Sequence, residues 1–347
     1  NNDDNSNNND SNDGLVLQRD GREVRGNVNT GVVDRVDKVC VFGGGSFGTA
    51  MACVIAKNSN NNHNHNHNHN HSYRNDASND AAMRGGGGGE EGGGIRVVVL
   101  VRSAADAASI NDHHVNARYL PSFPLPHNIS ATTDAREAIA GAGCIVHAVP
   151  VQSSFKYLSR EEIRVAVEQL PSEVPIISVS KGIELPVVEE EGEGEGGGGE
   201  GRRTAVLRLP RTMQELIPDA LGSGSGSGSD NANGASSSGS HHRAVVCVSG
   251  PSFASEVMRS LPTVLVAASS CPRAATLTQR LLASPSLRVN TSSDVIGVEM
   301  AGALKNVLAI AAGIVEGLQL GNNAMAALVA QGCSEIRWIC EKMGAKR

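Results

Sequence analysis

Residues Val39–Ala52 read VCVFGGGSFGTAMA and decide the fold. Val39 to Phe42 is a short apolar run of the kind that makes a buried parallel strand. Gly43, Gly45 and Gly48 follow in G-x-G-x-x-G spacing, and Thr49–Ala56 opens a helix of small and apolar residues. Each glycine has a physical reason. Gly43 makes the tight turn, Gly45 lets the backbone approach a pyrophosphate, and Gly48 lets helix and strand pack closely. The free N–H groups and partial positive charge of the helix start favour that phosphate. A glycine triplet alone is weak, but a strand before it and a helix after it make it a dinucleotide signature.

The 347 residues allow about two domains. Much of the chain reads as unable to build a core. Residues 1–36 are Asn/Asp-rich and read as a disordered tail. Low-complexity insertions are expected near 58–94, 189–203 and 222–243. The first carries alternating His63 to His71, which reads as a solvated repeat, so no functional metal is assigned. Net charge is −6 with no basic patch, which speaks against nucleic acid. No run reads as long enough to span a membrane. The seven cysteines form no CxxC pair and sit within apolar patterns, as buried thiols do in a reducing compartment. The opening residues are neither a signal peptide nor an Arg-rich transit peptide, and no initiator Met is present. Cytoplasm is the first expectation, with a plastid also open.

Between these segments the chain alternates. Strands are expected at Lys38–Phe42, Ile95–Val101, Cys144–Val149, Val174–Val179, Ala244–Val248, Thr263–Ala268 and Leu287–Asn290. Helices are expected to about Lys57, then at Asp134–Ala140, Ser153–Leu170, Thr204–Leu216 and Ala274–Ala283. Two long ones close the chain, Val295–Leu318 and Asn322–Met343. The stretch 116–134 reads as turns. This pattern specifies a Rossmann-like α/β fold, a doubly wound, mostly parallel sheet over residues 37–291, followed by a helical part from 292 to 347.

Ligands of such sheets bind beyond the strands' carboxyl ends. Arg102, Pro150, Ser180-Lys181-Gly182 and Ser249-Gly250-Pro251-Ser252 all fall there. Arg102 stands where an acidic residue would hold the adenosine ribose, so it can meet a 2′-phosphate or stack on adenine. The cofactor is therefore NAD or NADP. Lys181 suits an anionic substrate or a polarised carbonyl. Lys305 lies in a nearly uncharged helix, with Ala301 and Gly302 making space beside it and Asn306 next to it as a neutral donor. Burial and a second lysine lower such an amine's pKa, which lets it move a proton near neutral pH. Together these residues point to hydride transfer between a nicotinamide and a small anionic ketone.

The blocks VFGGGSFGTAMA, NARYLPSFPLPHNISATTD, HAVPVQ, SVSKGIE, VSGPSFASEV and DVIGVEMAGALKNVLAIAAGIVEGLQLGNNAMAAL occur in this order. In this the chain resembles the NAD(P)-dependent glycerol-3-phosphate dehydrogenases, most closely the bacterial and plastid-type branch. The resemblance implies interconversion of dihydroxyacetone phosphate and sn-glycerol 3-phosphate. It implies Lys305 as proton donor and acceptor, and Lys181 in contact with substrate and cofactor. Gly250 and Ser252 would line the substrate site, and Ala254 the cofactor site. Ser46 and Phe47 would join the glycines on the dinucleotide. It also implies a homodimer, and a further helical segment past Arg347 that carries an aspartate and a phosphate-binding Ser-Arg-Asn element. Asn322 stands where the family usually has Asp, and Gln331 where Arg is common. Two other readings share these residues: another β-hydroxyacid dehydrogenase, or a non-catalytic NAD(P)-binding fragment.

Overall fold

The computed structural model describes residues 36–66, 94–183, 211–222 and 243–346. Residues 1–35 of the expected tail, most of the three insertions, the carboxyl side of the SKGIE block and residues 204–210 of an expected helix lie outside the described residues.

In chain order the elements begin with β1 (Lys38–Phe42), α1 (Ser46–Asn66), β2 (Arg96–Leu100), α2 (Ala104–His113), β3 (Val115–Asn116), β4 (Leu120–Pro124) and β5 (Ile129–Thr132). They continue with α3 (Ala135–Ile139), β6 (Cys144–His147), α4 (Val151–Leu158), α5 (Glu161–Glu168), β7 (Ile176–Ser178), α6 (Met213–Ala220) and β8 (Val245–Ser249). The last are α7 (Ala254–Met258), β9 (Thr263–Ala268), α8 (Pro272–Leu282), β10 (Leu287–Ser292), α9 (Val295–Gly317) and α10 (Gly321–Lys342).

Among the described residues eight strands form one sheet in the order β10-β9-β8-β7-β6-β1-β2-β5, and β3 and β4 form a separate antiparallel pair. From β1 the chain winds to β2 and β5, then returns to β6 on the other side of β1. The carboxyl ends of β1 and β6 therefore diverge at a switch point, where such sheets open a crevice. The strands are buried along their length because both faces are covered. Val39 and Val41 face a core shared with α1, α2, α7 and α8. Cys40 and Phe42 face a second core shared with α3 to α6.

Several expectations need correction. The sheet is parallel from β5 to β8, but β8 pairs antiparallel with β9, so β9 and β10 run the other way. Apolar patterning marks a covered strand without encoding its direction. The turn-rich stretch holds β5, parallel to β2, although Ile129-Ser-Ala-Thr is too short to stand out among prolines. The helix expected at Ser153–Leu170 is two helices, broken at Ser159 and Arg160. The first helix passes Lys57 to Asn66, and Asn58 Nδ2 ties it to the carbonyl oxygens of Leu281 and Ala283 at the end of α8. Val36, assigned to the tail, is buried against Gly143. Arg243, assigned to the third insertion, donates to the carbonyl oxygens of Val167, Leu170, Pro171 and Val174 around the end of α5.

The expectation that no run is long enough for a membrane needs one qualification. The 23-residue α9 is long and apolar enough by length and composition alone, with Glu299 and Lys305 interrupting its apolar run. In this structure α9 lays Glu299 and Gly302 against the sheet and leaves Val307, Ile310, Ile314 and Leu318 exposed.

Candidate active site

The glycine turn is built by exclusion. Gly43 has φ +98°, and its N–H donates to Leu100 O at 3.2 Å. A Cβ on Gly48 would lie 2.2 Å from Gly43 O. One on Gly44 would lie 2.6 Å from a Val101 methyl, so the turn needs a glycine that the G-x-G-x-x-G pattern leaves unspecified. Gly45 alone faces open space, with nothing within 4 Å of a Cβ. That open backbone, at the first residues of α1, is the cradle a pyrophosphate requires, and it fits a dinucleotide.

Asn116 holds the cradle. Its buried amide donates to Gly44 O and to Thr49 Oγ1, both at 2.8 Å. It comes from β3, in the stretch read as turns. No local signal marks it, since its partners lie some 70 residues away in the chain.

A cavity of about 350 Å³ opens beside Gly43–Gly45 and is lined by Arg102, Asp106, Tyr119, Pro150 and Tyr157. Arg102 is exposed at the end of β2. Pro150 caps α4. Loop 148–150 is tied down by Ser180 Oγ, which donates to Val149 O at 2.6 Å, and by Ser154 Oγ, 3.1 Å from Pro150 O. His147 Nε2 meets Ser154 Oγ at 2.9 Å, and burial drives the pKa of this imidazole down to about 3, so it stays neutral.

From the turn a chain of contacts leads across the sheet end. Phe47, in the first turn of α1, lies under the Lys181 amine at 4.7 Å. Lys181 Nζ donates to Ser252 Oγ at 3.2 Å and is 3.4 Å from Ser252 O. Burial holds the Lys181 amine below the usual lysine value, and the nearby positive charge of Lys305 lowers it further. Lys305 Nζ donates to Gly250 O at 2.5 Å, and burial lowers its pKa also. Gly250 has no room for a side chain, because a Cβ would lie 2.4 Å from Val264 O. Gly182, at φ +120°, turns the chain away just after Lys181. Ala254 begins α7 behind Ser252.

Lys305 lines a second cavity, of about 510 Å³, between α9, α10 and the ends of β8 and β9. Ala301 and Gly302 share it. The missing side chain of Gly302, however, makes room for Ser249, whose Oγ would lie 2.4 Å from a Cβ there. The small residue seats the helix on the strand rather than clearing ligand space. Asn306 does not join the group, because it is exposed and does not line Lys305's cavity. Among the described residues no three metal-ligating side chains gather.

The open, mostly parallel sheet, the switch-point crevice and the glycine cradle define the Rossmann class of nucleotide-binding folds. The particular family follows from comparison. The family model described as the NAD-dependent glycerol-3-phosphate dehydrogenase N-terminus matches residues 38–194, and its C-terminal counterpart matches residues 294–347. A glycerol-3-phosphate dehydrogenase [NAD(P)+] of Myxococcus xanthus is 32% identical over 305 residues, covering 88% of this chain and 68% of the relative. The chain belongs to the NAD-dependent glycerol-3-phosphate dehydrogenase family. A chloroplastic glycerol-3-phosphate dehydrogenase [NAD(+)] of Oryza sativa subsp. japonica is 42% identical over 330 residues, 95% of this chain and 58% of that protein. The chain thus spans less than two thirds of this plastid relative. The crystal structure of glycerol-3-phosphate dehydrogenase from Coxiella burnetii has the same fold, with a TM-score of 0.60 at 24% identity, over 89% of this chain and 70% of that one.

Proposed function

We propose that this chain carries the cofactor site and the proton-moving lysine of an enzyme that interconverts dihydroxyacetone phosphate and sn-glycerol 3-phosphate. The observation that carries the reading is the convergence of Lys181 and Lys305 on Ser252 and Gly250, one contact beyond the cradle at Phe47. Residues 37–291 hold the dinucleotide, and residues 292–347 begin the helical part that closes over the substrate.

Reduction of a ketone puts a hydride on carbon and a proton on oxygen. The nicotinamide of NADH or NADPH supplies the hydride when bound. Gly43, Gly45, Ser46, Phe47 and Gly48 hold the pyrophosphate end, while Arg102 and Pro150 flank the adenosine side. Ala254 stands at the nicotinamide side. Lys305 Nζ delivers the proton to the developing alkoxide, since burial makes its ammonium a stronger acid than a solvated lysine. The Lys181 charge stabilises that oxygen and the substrate phosphate. Ser252 and Gly250 orient both amines. In the reverse direction a neutral Lys305 accepts the hydroxyl proton. The exposed apolar row on α9 supports a covering partner surface, the homodimer among them. The chloroplastic rice and Arabidopsis relatives favour a plastid over the cytoplasm.

The test follows NADH and NADPH oxidation by the full natural chain with dihydroxyacetone phosphate, beside a panel of β-ketoacids. Oxidation with the phosphorylated ketone supports the proposal. Turnover of β-ketoacids alone favours a β-hydroxyacid dehydrogenase. Cofactor binding without turnover of any ketone favours a non-catalytic binding protein.

A further inference from the structure

Three residues of α9, each three apart, meet β8 in sequence. Glu299 neighbours the Cys247 thiol. Gly302 rests against Ser249. Lys305 reaches Gly250, just past the strand end. Spacing by three keeps them on one slowly turning face of the helix. Most other side chains on that face are small and apolar, and such contacts are non-directional. By themselves they specify the rotation and register of a helix weakly.

Besides the bond of Lys305 itself to Gly250 O, Glu299 makes the directional contact on this face. It is buried, and its two oxygens lie 2.9 and 3.1 Å from the backbone nitrogen of Met213. Met213 is the first residue of α6, so its N–H has no partner within its own helix. The preceding N–H, of Thr212, is already taken by Glu215 Oε2 at 3.0 Å. One carboxylate therefore joins the strand of the Gly250 turn, the free end of α6 and the lysine helix.

We propose that Glu299 is a positioning residue for Lys305: its bond to the Met213 N–H sets the rotation and register of α9 on β8, and so presents the Lys305 amine at Gly250. This rests on the reading of Lys305 as the group that moves the proton. Glu299 touches neither substrate nor cofactor and acts only through the helix. Misplacing a reacting group by about 1 Å costs roughly a hundredfold in rate, so loss of the anchor shows in turnover while the cradle stays intact.

The experiment removes the bond from either side in the full natural chain. Glu299→Met keeps the length without an acceptor, and Glu299→Gln keeps an acceptor. Met213→Pro deletes the N–H at a first-turn position that tolerates proline, after a residue already extended at ψ 159°. Met213→Ala loses the same side chain and keeps the N–H. The readouts are kcat with dihydroxyacetone phosphate, the NADH dissociation constant, and the pH midpoint of Lys305 labelling by an amine reagent, read by peptide mass spectrometry. Glu299→Met and Met213→Pro are expected to lower kcat about tenfold or more, with NADH affinity within about twofold. Their Lys305 midpoint should move up as water reaches the amine. Glu299→Gln and Met213→Ala should keep the wild-type midpoint. Wild-type midpoints in Glu299→Met and Met213→Pro overturn the proposal. So does a loss in which NADH affinity falls in step with kcat. A wild type inactive on the phosphorylated ketone overturns the functional reading instead, and the labelling contrast still decides this one.

Discussion

Lys305 Nζ, from α9, donates to the carbonyl oxygen of Gly250 at 2.5 Å, so the amine is aimed at the turn that follows β8 and not at solvent. The cradle at Gly43–Gly48 sits on α1, and the contacts that lead toward Lys305 run through Phe47, Lys181 and Ser252. Chemistry and cofactor grip are thus separable. Lys305→Ala should lower kcat by about three orders of magnitude or more, the combined scale of lost proton transfer and alkoxide stabilisation. NADH titration by fluorescence should give an affinity within about twofold of wild type. Residual turnover near the wild-type rate would falsify the role assigned to this lysine.

Asn116 supports the cradle from behind. Asn116→Ala removes both 2.8 Å bonds and leaves the half-buried Gly44 O and the buried Thr49 Oγ1 without that donor. Such a loss costs about 1–3 kcal/mol. The expected result is a lower melting temperature together with NADH binding weakened about tenfold. Lost stability with unchanged NADH affinity would show that the turn holds its shape without Asn116.

Asn116 also marks where sequence reading stops. The cradle, the strand ends and both lysines were legible because each rests on local spacing: a triplet of glycines, an apolar run, a lysine in an uncharged helix. Asn116, Gly44 and Glu299 were not, because their partners are far away in the chain and nothing beside them announces a contact. The reversal of β9 and β10 was illegible for a different reason. A covered strand is apolar along its length whichever way it runs. The missing side chain of Gly302 was read as space for a ligand, and only packing shows that Ser249 fills it.

Arg102 is the residue expected to separate the two cofactors. It stands exposed at the end of β2, on the wall of the cavity beside Gly43–Gly45. A guanidinium there can bind a 2′-phosphate through charge-assisted bonds. Arg102→Ala should weaken NADPH binding about tenfold and NADH binding less than about twofold, measured by calorimetry. Equal losses for both cofactors would mean that Arg102 stacks on the adenine, which NADH and NADPH share.

Two buried groups tilt stability in opposite directions with pH. Burial raises the Glu299 carboxyl from an ordinary 4.5 to about 7, with the Glu215 charge adding to it and the Cys247 thiol and Met213 N–H opposing. The folded chain therefore keeps a proton that the unfolded chain releases. That contribution is fully present below pH 4.5 and is lost as pH rises through 7. His147 works the other way. Burial lowers it from 6.5 to about 3, so its contribution is present above pH 6.5 and is lost as pH falls toward 3. Between about pH 5 and 7 each is worth roughly 2 kcal/mol. In the wild type the two nearly cancel. Glu299→Gln removes one and leaves His147 unopposed, so the variant should lose stability on acidification from about pH 7 to 5, by roughly 2 kcal/mol more than the wild type does. Urea unfolding at both pH values measures the difference, in which titrations common to the two chains cancel. Equal slopes for variant and wild type would mean that Glu299 is ionised throughout, held as the anion by the Met213 N–H at the start of α6.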